Sequence, residues 1–75
     1  MKYIVIELQK NEAGVVSNIV TAYDTLAAAE SAYYTILAAA AISSLPVHSA
    51  VLISEDGYPV MHNCFKHYEE TEPET

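Results

Sequence analysis

The sequence predicts an α+β domain in which one helix joins two β-hairpins, in the order ββαββ. Three observations lead to this fold class. Apolar and polar residues alternate from Tyr3 to Gln9, as they do in a strand. The stretch from Thr25 to about Ser43 holds ten alanines and leucines and lacks glycine and proline. Asp56-Gly57 stands between two apolar runs, which is the strongest short hairpin pattern.

The first hairpin is predicted from residues 3–22. Side chains alternate between the faces of a strand, so the first strand has two distinct faces. One face carries Ile4, Ile6 and Leu8, and the other carries Tyr3, Val5 and Glu7. The polar stretch Lys10 to Gly14 predicts a loop of four or five residues. Val15 to Ala22 follows as a second strand, because it is rich in β-branched residues.

A helix is predicted from Thr25 to about Ser43. Asp24 is the expected N-cap, since its carboxylate can accept amide hydrogens of the first turn. The helix should end before Pro46, because the residue preceding a proline avoids the helical region. Its apolar stripe at helical spacing consists of Leu26, Ala29, Tyr33, Ile36, Leu37 and Ala40.

The second hairpin joins Val47–Ser54 to Tyr58–His67. With Asp56 and Gly57 as the two loop residues, Glu55 faces Tyr58 and the register follows. The resulting cross-strand pairs are His62 with Val51, Cys64 with Ser49, Phe65 with His48 and Pro59 with Ser54.

The predicted strand order is 2-1-3-4, antiparallel throughout, with the helix on one face of the sheet. The helix is about as long as a strand of eight or nine residues, so it returns the chain to the starting end of the sheet. This order places the most apolar strands in the middle and Pro59 at an edge, where proline is tolerated. The order 1-2-3-4 is the alternative. Residues 1–68 form the predicted domain, and the polar residues 69–75 are expected to be a disordered acidic tail.

Length and charge exclude several functions. The chain has 75 residues and a formal net charge of −7, with three lysines and no arginine. Such a chain cannot build a surface that follows a phosphate backbone, so neither nucleic acid nor an anionic membrane is expected as a partner. The longest apolar run, Ile36–Ile42, is far shorter than the roughly 20 residues of a membrane span. No signal-peptide pattern is recognised, and a cytoplasmic location is expected.

The residues that might carry chemistry do not form a recognisable catalytic or metal-binding set. His62 and Cys64 share one face of the predicted strand, whereas His67 and His48 lie on the other, so a flat sheet cannot bring them to one metal ion. Cys64 has no orienting acid nearby and is expected to be a small buried or half-buried side chain. Gly14 and Gly57 are both explained by turns. We therefore expect no enzyme activity, cofactor or metal.

The helix points to self-association. Glu30 is the only charged residue between Asp24 and Glu55, so the predicted outer side of the helix is neutral and rich in alanine, including Ala38 and Ala41. A second copy could approach such a side closely, although a neutral, solvated helix is the alternative. Tyr33 and Tyr34 are adjacent and project about 100° apart, so only one of them can face the core. The other is available to a partner chain or a ligand.

The sheet offers a second docking surface. The face with Leu52, Met61 and Phe65 has the larger apolar groups and should meet the helix. The opposite face keeps apolar side chains that need cover, with His62 near its rim. These side chains are Val51, Ile53 and Val60. A second subunit is expected on this face or on the outer side of the helix.

Two long stretches of the chain resemble a known group of sequences. They are the run from Lys2-Tyr3-Ile4-Val5 to Tyr23-Asp24 and the run from Leu37-Ala38-Ala39-Ala40 to Val51-Leu52. Both are similar to small, uncharacterised open reading frames of tailed phages and prophages of gut Firmicutes. The resemblance implies a phage origin and the host cytoplasm, and it supplies no catalytic residues.

Two hypotheses of function follow. The first is a phage-type accessory protein that acts as a homo-oligomeric, preferably dimeric, interaction module for another protein. The second is a protein that binds or sequesters a small ligand such as a nucleotide signal. In that case a pocket between subunits would use tyrosines together with His48 and His67. The shortage of cationic side chains weighs against ligands that carry phosphate.

Overall fold

The computed structural model describes residues 1–67 and confirms the ββαββ fold with strand order β2-β1-β3-β4, antiparallel throughout. The elements are β1 (Tyr3–Lys10), β2 (Val16–Tyr23), α1 (Leu26–Ala41), β3 (Val47–Ser54) and β4 (Pro59–Lys66). The predicted tail, residues 69–75, lies outside the described residues, and so does Tyr68.

The first hairpin has a five-residue loop, because Lys10 pairs with Val16. Asn11 organises the loop: its side-chain oxygen accepts hydrogen bonds from the amides of Ala13 at 2.9 Å and Val15 at 3.0 Å. Gly14 adopts a φ of 87°, which glycine reaches without a steric cost. Local side-chain chemistry therefore sets the register of β1 against β2.

The helix begins one residue later than predicted. Its N-cap is Thr25, whose hydroxyl accepts a hydrogen bond from the Ala28 amide at 3.1 Å. The predicted cap, Asp24, instead bonds the side chain of Lys2, so that prediction is wrong. Both residues are good caps by type, and the fold uses Thr25 for the cap while Asp24 pairs with Lys2.

The second hairpin follows the predicted register from Val47 to Leu52 and departs from it near the turn. The predicted pairs of His62, Cys64 and Phe65 are confirmed. Pro59, however, pairs with Ile53 rather than Ser54, and a bulge shifts the register at that point.

The departure arises because the turn is one residue longer than predicted. Ser54 rather than Glu55 pairs with Tyr58, through a bond from the Ser54 amide to the Tyr58 carbonyl at 2.9 Å. The loop is thus Glu55-Asp56-Gly57, with Gly57 at a φ of 87°. The Ser54 hydroxyl accepts from the Tyr58 amide and donates to Asp56, which stabilises this longer turn.

The core lies between α1 and one face of the sheet. Leu52 and Met61 face the helix, as predicted, and Leu52 is fully buried. Small side chains let the helix approach closely, and the buried cluster consists of Val5, Ala29, Tyr33, Ala50 and Leu52. Because Val5 points at the helix, Ile4, Ile6 and Leu8 point to the opposite side of the sheet.

Candidate functional site

The face of the sheet opposite α1 is a continuous, largely apolar surface, which we call the open face. The only helix within residues 1–67 packs on the other side. Pairing aligns the open face in cross-strand rows. In the order β2, β1, β3, β4 these rows are Ala22, Ile4, Ile53, Pro59; then Val20, Ile6, Val51, His62; then Asn18, Leu8, Ser49, Cys64; and Val16, Lys10, Val47, Lys66.

Apolar side chains dominate the middle of this surface. The second of these rows, with Val20, Ile6, Val51 and His62, is called the central row below. Val20 is 58% exposed at the β2 edge, and the central Ile6 and Val51 are half-buried by their neighbours. An antiparallel sheet with one face in water ordinarily carries polar side chains there. In the middle of this face the side chains of β1 and β3 are mainly apolar instead, and an apolar patch of this kind is a candidate interaction surface.

Charged residues of the open face stand at its two ends. Lys10 and Lys66 share the row at one end. At the other end Lys2 lies between two acids: its ammonium bonds Asp24, and its carbonyl accepts from the Glu55 amide at 3.0 Å. The hydrogen bond between them lowers the pKa of Asp24 and raises the pKa of Lys2. The apolar rows thus lie between Lys10 and Lys66 at one end and Lys2, Asp24 and Glu55 at the other.

The structure brings together two of the predicted interface residues on the open face. Val51 and His62 are cross-strand partners in the central row. His62 belongs to β4, an edge strand, so its predicted place near the rim agrees with the fold. Cys64 lies on the same face and is exposed, so the expected buried or half-buried cysteine is wrong. Cys64 lies on β4, which is an edge strand of the sheet that residues 1–67 form, so it has a neighbouring strand on one side.

The other candidates on the helix separate to opposite sides. Tyr33 is 3% exposed in the core, and burial raises the pKa of its hydroxyl. Tyr34 is 54% exposed, with its ring 5.2 Å from that of Tyr33 in an edge-to-face arrangement. Ala38 and Ala41 lie on the outer side of α1 and are exposed. The outer side is therefore neutral, as predicted, but built of smaller side chains than the open face.

His48 belongs to a polar cluster beneath the helix, together with Glu7 and Gln9. Its Nε2 atom lies 2.6 Å from the Oε2 atom of Glu7. The same oxygen also accepts a hydrogen bond from the side-chain Nε2 of Gln9 at 2.9 Å. Burial alone would raise the pKa of Glu7, but the hydrogen bonds from His48 and Gln9 lower it. The His48 Nδ1 atom is buried without a partner among the described residues. Nε2 is therefore the donor in this pair, because an ionised carboxylate can only accept.

His67 makes a hydrogen bond at the C-terminal end of α1. Its Nε2 atom lies 2.6 Å from the Ala40 carbonyl oxygen, and its amide donates to the Pro46 carbonyl at 2.8 Å. Its ring stacks on Phe65, with centroids 6.1 Å apart. His48 and His67 both lie on the helix side of the sheet, as predicted, yet each has its own partner and they form no shared pocket.

A shallow groove of about 290 Å³ opens between α1 and the β2 side of the sheet. It exists because the helix lies mainly over β3 and β1 and leaves β2 partly bare, including Ile19, which is 57% exposed. The Glu7 carboxylate lies on its wall and is the only charged group there. The remaining lining residues are Val5, Ile19, Thr21, Tyr23, Ala32, Thr35 and Ile36.

Within residues 1–67 no group of three or more histidine, cysteine or acidic side chains is placed to hold a metal ion. No helix in this part of the chain is long and apolar enough to cross a membrane. The chain matches no protein-family model, no curated protein and no solved structure.

Sequence reasoning missed several members of these surfaces. The sequence places Glu7 on a strand face with Tyr3 and Val5 and indicates no partner for it, whereas the fold pairs it with His48 and Gln9. The alternation in β1 defined two faces but not which one meets the helix, so Ile6 was not assigned to the open face. One pattern could have helped: Glu7 and the buried core share a face, and a buried acid requires partners.

Proposed function

We propose that this chain is a homo-oligomeric protein-interaction module without catalytic activity, and that a second copy binds to its open face. The single observation that supports this most is the central row, where Ile6 and Val51 lie on the side of the sheet that α1 leaves bare. Cover by another sheet removes this apolar surface from water, at roughly 25 cal/mol for each Å². A second copy supplies a matching surface, and two open faces can pack as a β-sandwich.

The open face is large enough for a stable dimer. Its strands have eight residues each, so at about 3.3 Å per residue and about 4.8 Å between strands it measures roughly 26 by 19 Å. Two such faces together bury on the order of 1,000 Å² when each is treated as flat, and protruding side chains add to this area. About 1,000 Å² is the lower bound for a specific interface. A chain of this size also gains from added burial, since small domains bury a smaller fraction of their surface.

The outer side of α1 is the weaker docking surface. Its exposed alanines, such as Ala38 and Ala41, offer little apolar area, and only Tyr34 and Ile42 are large. The open face instead contributes branched side chains from every row. The neutral helix surface is better suited to a second, different protein partner than to the dimer itself.

A role as a phage-type accessory protein in the host cytoplasm rests on the sequence resemblance described above. Accessory proteins of this size act mainly by binding, which agrees with a domain whose conspicuous feature is an uncovered apolar face. The partner would be a host or phage protein, bound by surfaces that the dimer leaves free.

Sedimentation velocity tests the module directly. The parent is expected to sediment as a dimer at micromolar concentration. Val51→Glu places a charge in the central row and should yield a monomer, whereas Ala38→Glu on the outer helix should remain a dimer. A parent that stays monomeric at millimolar concentration overturns the proposal. If Ala38→Glu dissociates and Val51→Glu does not, the dimer uses the helix and the assignment of the open face is wrong.

A second candidate function is small-ligand binding in the groove beside Glu7. Its volume is near the lower end of small-molecule sites, and apolar walls with one carboxylate suit an amine with an apolar body. A carboxylate repels phosphate, so a nucleotide signal fits this groove less well than an amine does. Thermal shift with nucleotides and hydrophobic amines tests both, since ligand at 100 times its Kd adds about 2.7 kcal/mol. Absence of any shift across this panel removes the candidate.

A further inference from the structure

Within residues 1–67 no strand pairs with the outer edge of β2. Successive residues of an antiparallel strand turn their backbone groups alternately toward one neighbour and toward the other. The Asn11 amide donates to the Val15 carbonyl at 3.1 Å, which fixes this alternation along the first hairpin. The amides and carbonyls that point away from β1, called the outward groups below, therefore belong to Val16, Asn18, Val20 and Ala22.

The sequence of β2 leaves this edge unprotected. Edge strands of natural sheets ordinarily carry charged side chains, a proline or a bulge, which keep other strands from adding. Val16–Tyr23 contains no charged residue and no proline, and its pairing with β1 has no register shift. The other edge strand, β4, carries Pro59 and a register shift in its pairing with β3. An added strand is therefore expected beside β2.

The groove between α1 and β2 opens on the helix side of this edge. Ile19 lines the groove, is 57% exposed and pairs with Glu7 of β1. A residue opposite Ile19 on an added strand would point to the same side and extend this row by one side chain. Its backbone would lie two strand spacings, roughly 10 Å, from that of β1. Lysine or arginine can cover this distance, with the aliphatic stem on Ile19 and the charged end at Glu7.

Glu7 retains an acceptor for such a side chain. His48 and Gln9 both bond to its Oε2 atom, and no donor among the described residues bonds to its Oε1 atom. Their hydrogen bonds hold the pKa of Glu7 below its ordinary value, so the carboxylate is ionised at neutral pH. It is the only charged residue that lines the groove. A cationic group is therefore the natural complement of this site.

A second copy of the chain does not supply this cation. Its β2 strand would bring only the uncharged residues Val16–Tyr23 to the edge. Each copy also has a formal net charge of −7, which opposes the approach of another copy and attracts a basic segment. The charges thus favour a different protein over a second copy at this edge.

We infer that the β2 edge binds an extended segment of a partner protein, which adds a strand to the sheet and places a lysine or arginine opposite Ile19, with its charge at Glu7. Bonds to the outward groups supply affinity for any strand, and the cation in the groove selects the sequence. The inference rests on the proposed role as a protein-interaction module and does not require the dimer through the open face.

A short synthetic peptide tests the edge. In acetyl-Thr-Val-Thr-Lys-Thr-Val-Thr-amide the lysine and both valines point to one face of an extended chain. At millimolar concentration this peptide should slow hydrogen exchange several-fold at the outward amides. The amides of Ser17, Ile19 and Thr21 already bond to β1 and should change little. These two sets of amides alternate along one strand, so general stabilisation of the fold cannot produce the pattern.

The charge at Glu7 is tested by a peptide with glutamate in place of the lysine. This peptide should bind the parent about fivefold more weakly, as titrations followed by amide chemical shifts would show. With Glu7→Gln the two peptides should bind within about twofold of each other. Glu12→Gln removes the same charge from the first hairpin loop and should preserve the preference of the parent.

The outcomes separate this inference from the proposed dimer. Absence of protection at the outward amides overturns the inference, and equal binding of the two peptides to the parent overturns the basic partner. Protection that rises with protein concentration without peptide assigns the edge to a second copy and also overturns it. Val51→Glu should bind the lysine peptide as the parent does. A monomeric parent that binds this peptide therefore overturns the dimer and supports the inference.

Discussion

The imidazole of His48 and the carboxylate of Glu7 form a hydrogen bond of 2.6 Å across the two central strands, beneath the helix. The His48 side chain is 6% exposed and that of Glu7 is 18% exposed. Glu7→Gln removes the charge that strengthens this bond and should lower the free energy of unfolding by about 1 kcal/mol. Urea unfolding at a fixed protein concentration measures this, so that the proposed dimer, whose dissociation would add to the measured stability, is equally populated in all samples. Glu12→Gln in the exposed loop is the control and should stay within about 0.5 kcal/mol of the parent.

The same carboxylate makes stability depend on pH. The pKa of Glu7 is lowered in the folded chain from its ordinary value of 4.5. Its stabilising effect is therefore complete above that value, and it is lost as the pH falls through the lower pKa of the folded state. The difference in melting temperature between the parent and Glu7→Gln should shrink from pH 6 to pH 3. A difference that stays constant over this range would show that the Glu7 charge does not stabilise the fold.

Capping of the helix provides a test between two adjacent residues. Thr25→Ala removes the hydroxyl that accepts from the Ala28 amide and should cost about 1 kcal/mol. Asp24→Ala removes an exposed ion pair with Lys2, which water screens, and should cost clearly less than Thr25→Ala. Chemical denaturation ranks the two variants, and the reverse order would restore Asp24 as the cap.

The turn of the second hairpin depends on the backbone of Gly57. Its φ of 87° is strained for residues with a side chain, although an added Cβ would meet no atom within 4 Å. Gly57→Ala should therefore cost about 1–2 kcal/mol through backbone strain alone. Gly57→Asn should cost less, because asparagine tolerates positive φ better than alanine does. Equal melting temperatures for the two variants would contradict this explanation.

The rate at which the Cys64 thiol is modified shows whether a second copy covers the open face. Its thiol is exposed in the single chain, so a small maleimide should modify it quickly in dilute protein and several-fold more slowly at concentrations where the dimer forms. Ser31→Cys in a Cys64→Ser background places the thiol on the outer helix, and its rate should not change with concentration. Equal behaviour of both thiols would mean that the open face stays uncovered.

Structural features that follow from short-period sequence patterns agree with the sequence prediction. Features that depend on particular side-chain hydrogen bonds do not. Alternation in β1 and the length of the helix led to the correct strand order, and the Asp56-Gly57 pair placed most of β4 opposite β3. The turn itself was wrong by one residue because the Ser54 hydroxyl bonds to both Asp56 and the Tyr58 amide. Such a side-chain bond leaves no trace in hydrophobic periodicity.

The candidate site was predicted only in part for a similar reason. Val51 and His62 were placed correctly on one face, because register alone determines that pair. The contribution of Ile6 depends on which face of β1 receives the helix. That face also carries Glu7, whose partner His48 stands forty-one positions later in the chain.

The two edges of the sheet are not equivalent, and this limits how the protein can polymerise. On β4, Pro59 forms the pair next to the bonded Ser54–Tyr58 pair, so the position of its missing amide hydrogen faces outward, and the bulge that follows bends the strand. Another strand is thus hindered from adding at β4, whereas β2 offers an unbroken edge. A fibre needs two receptive edges on every unit. Strand addition to the folded chain is therefore expected at β2 in preference to β4, so edge-to-edge contact between two copies should join their β2 strands and stop there.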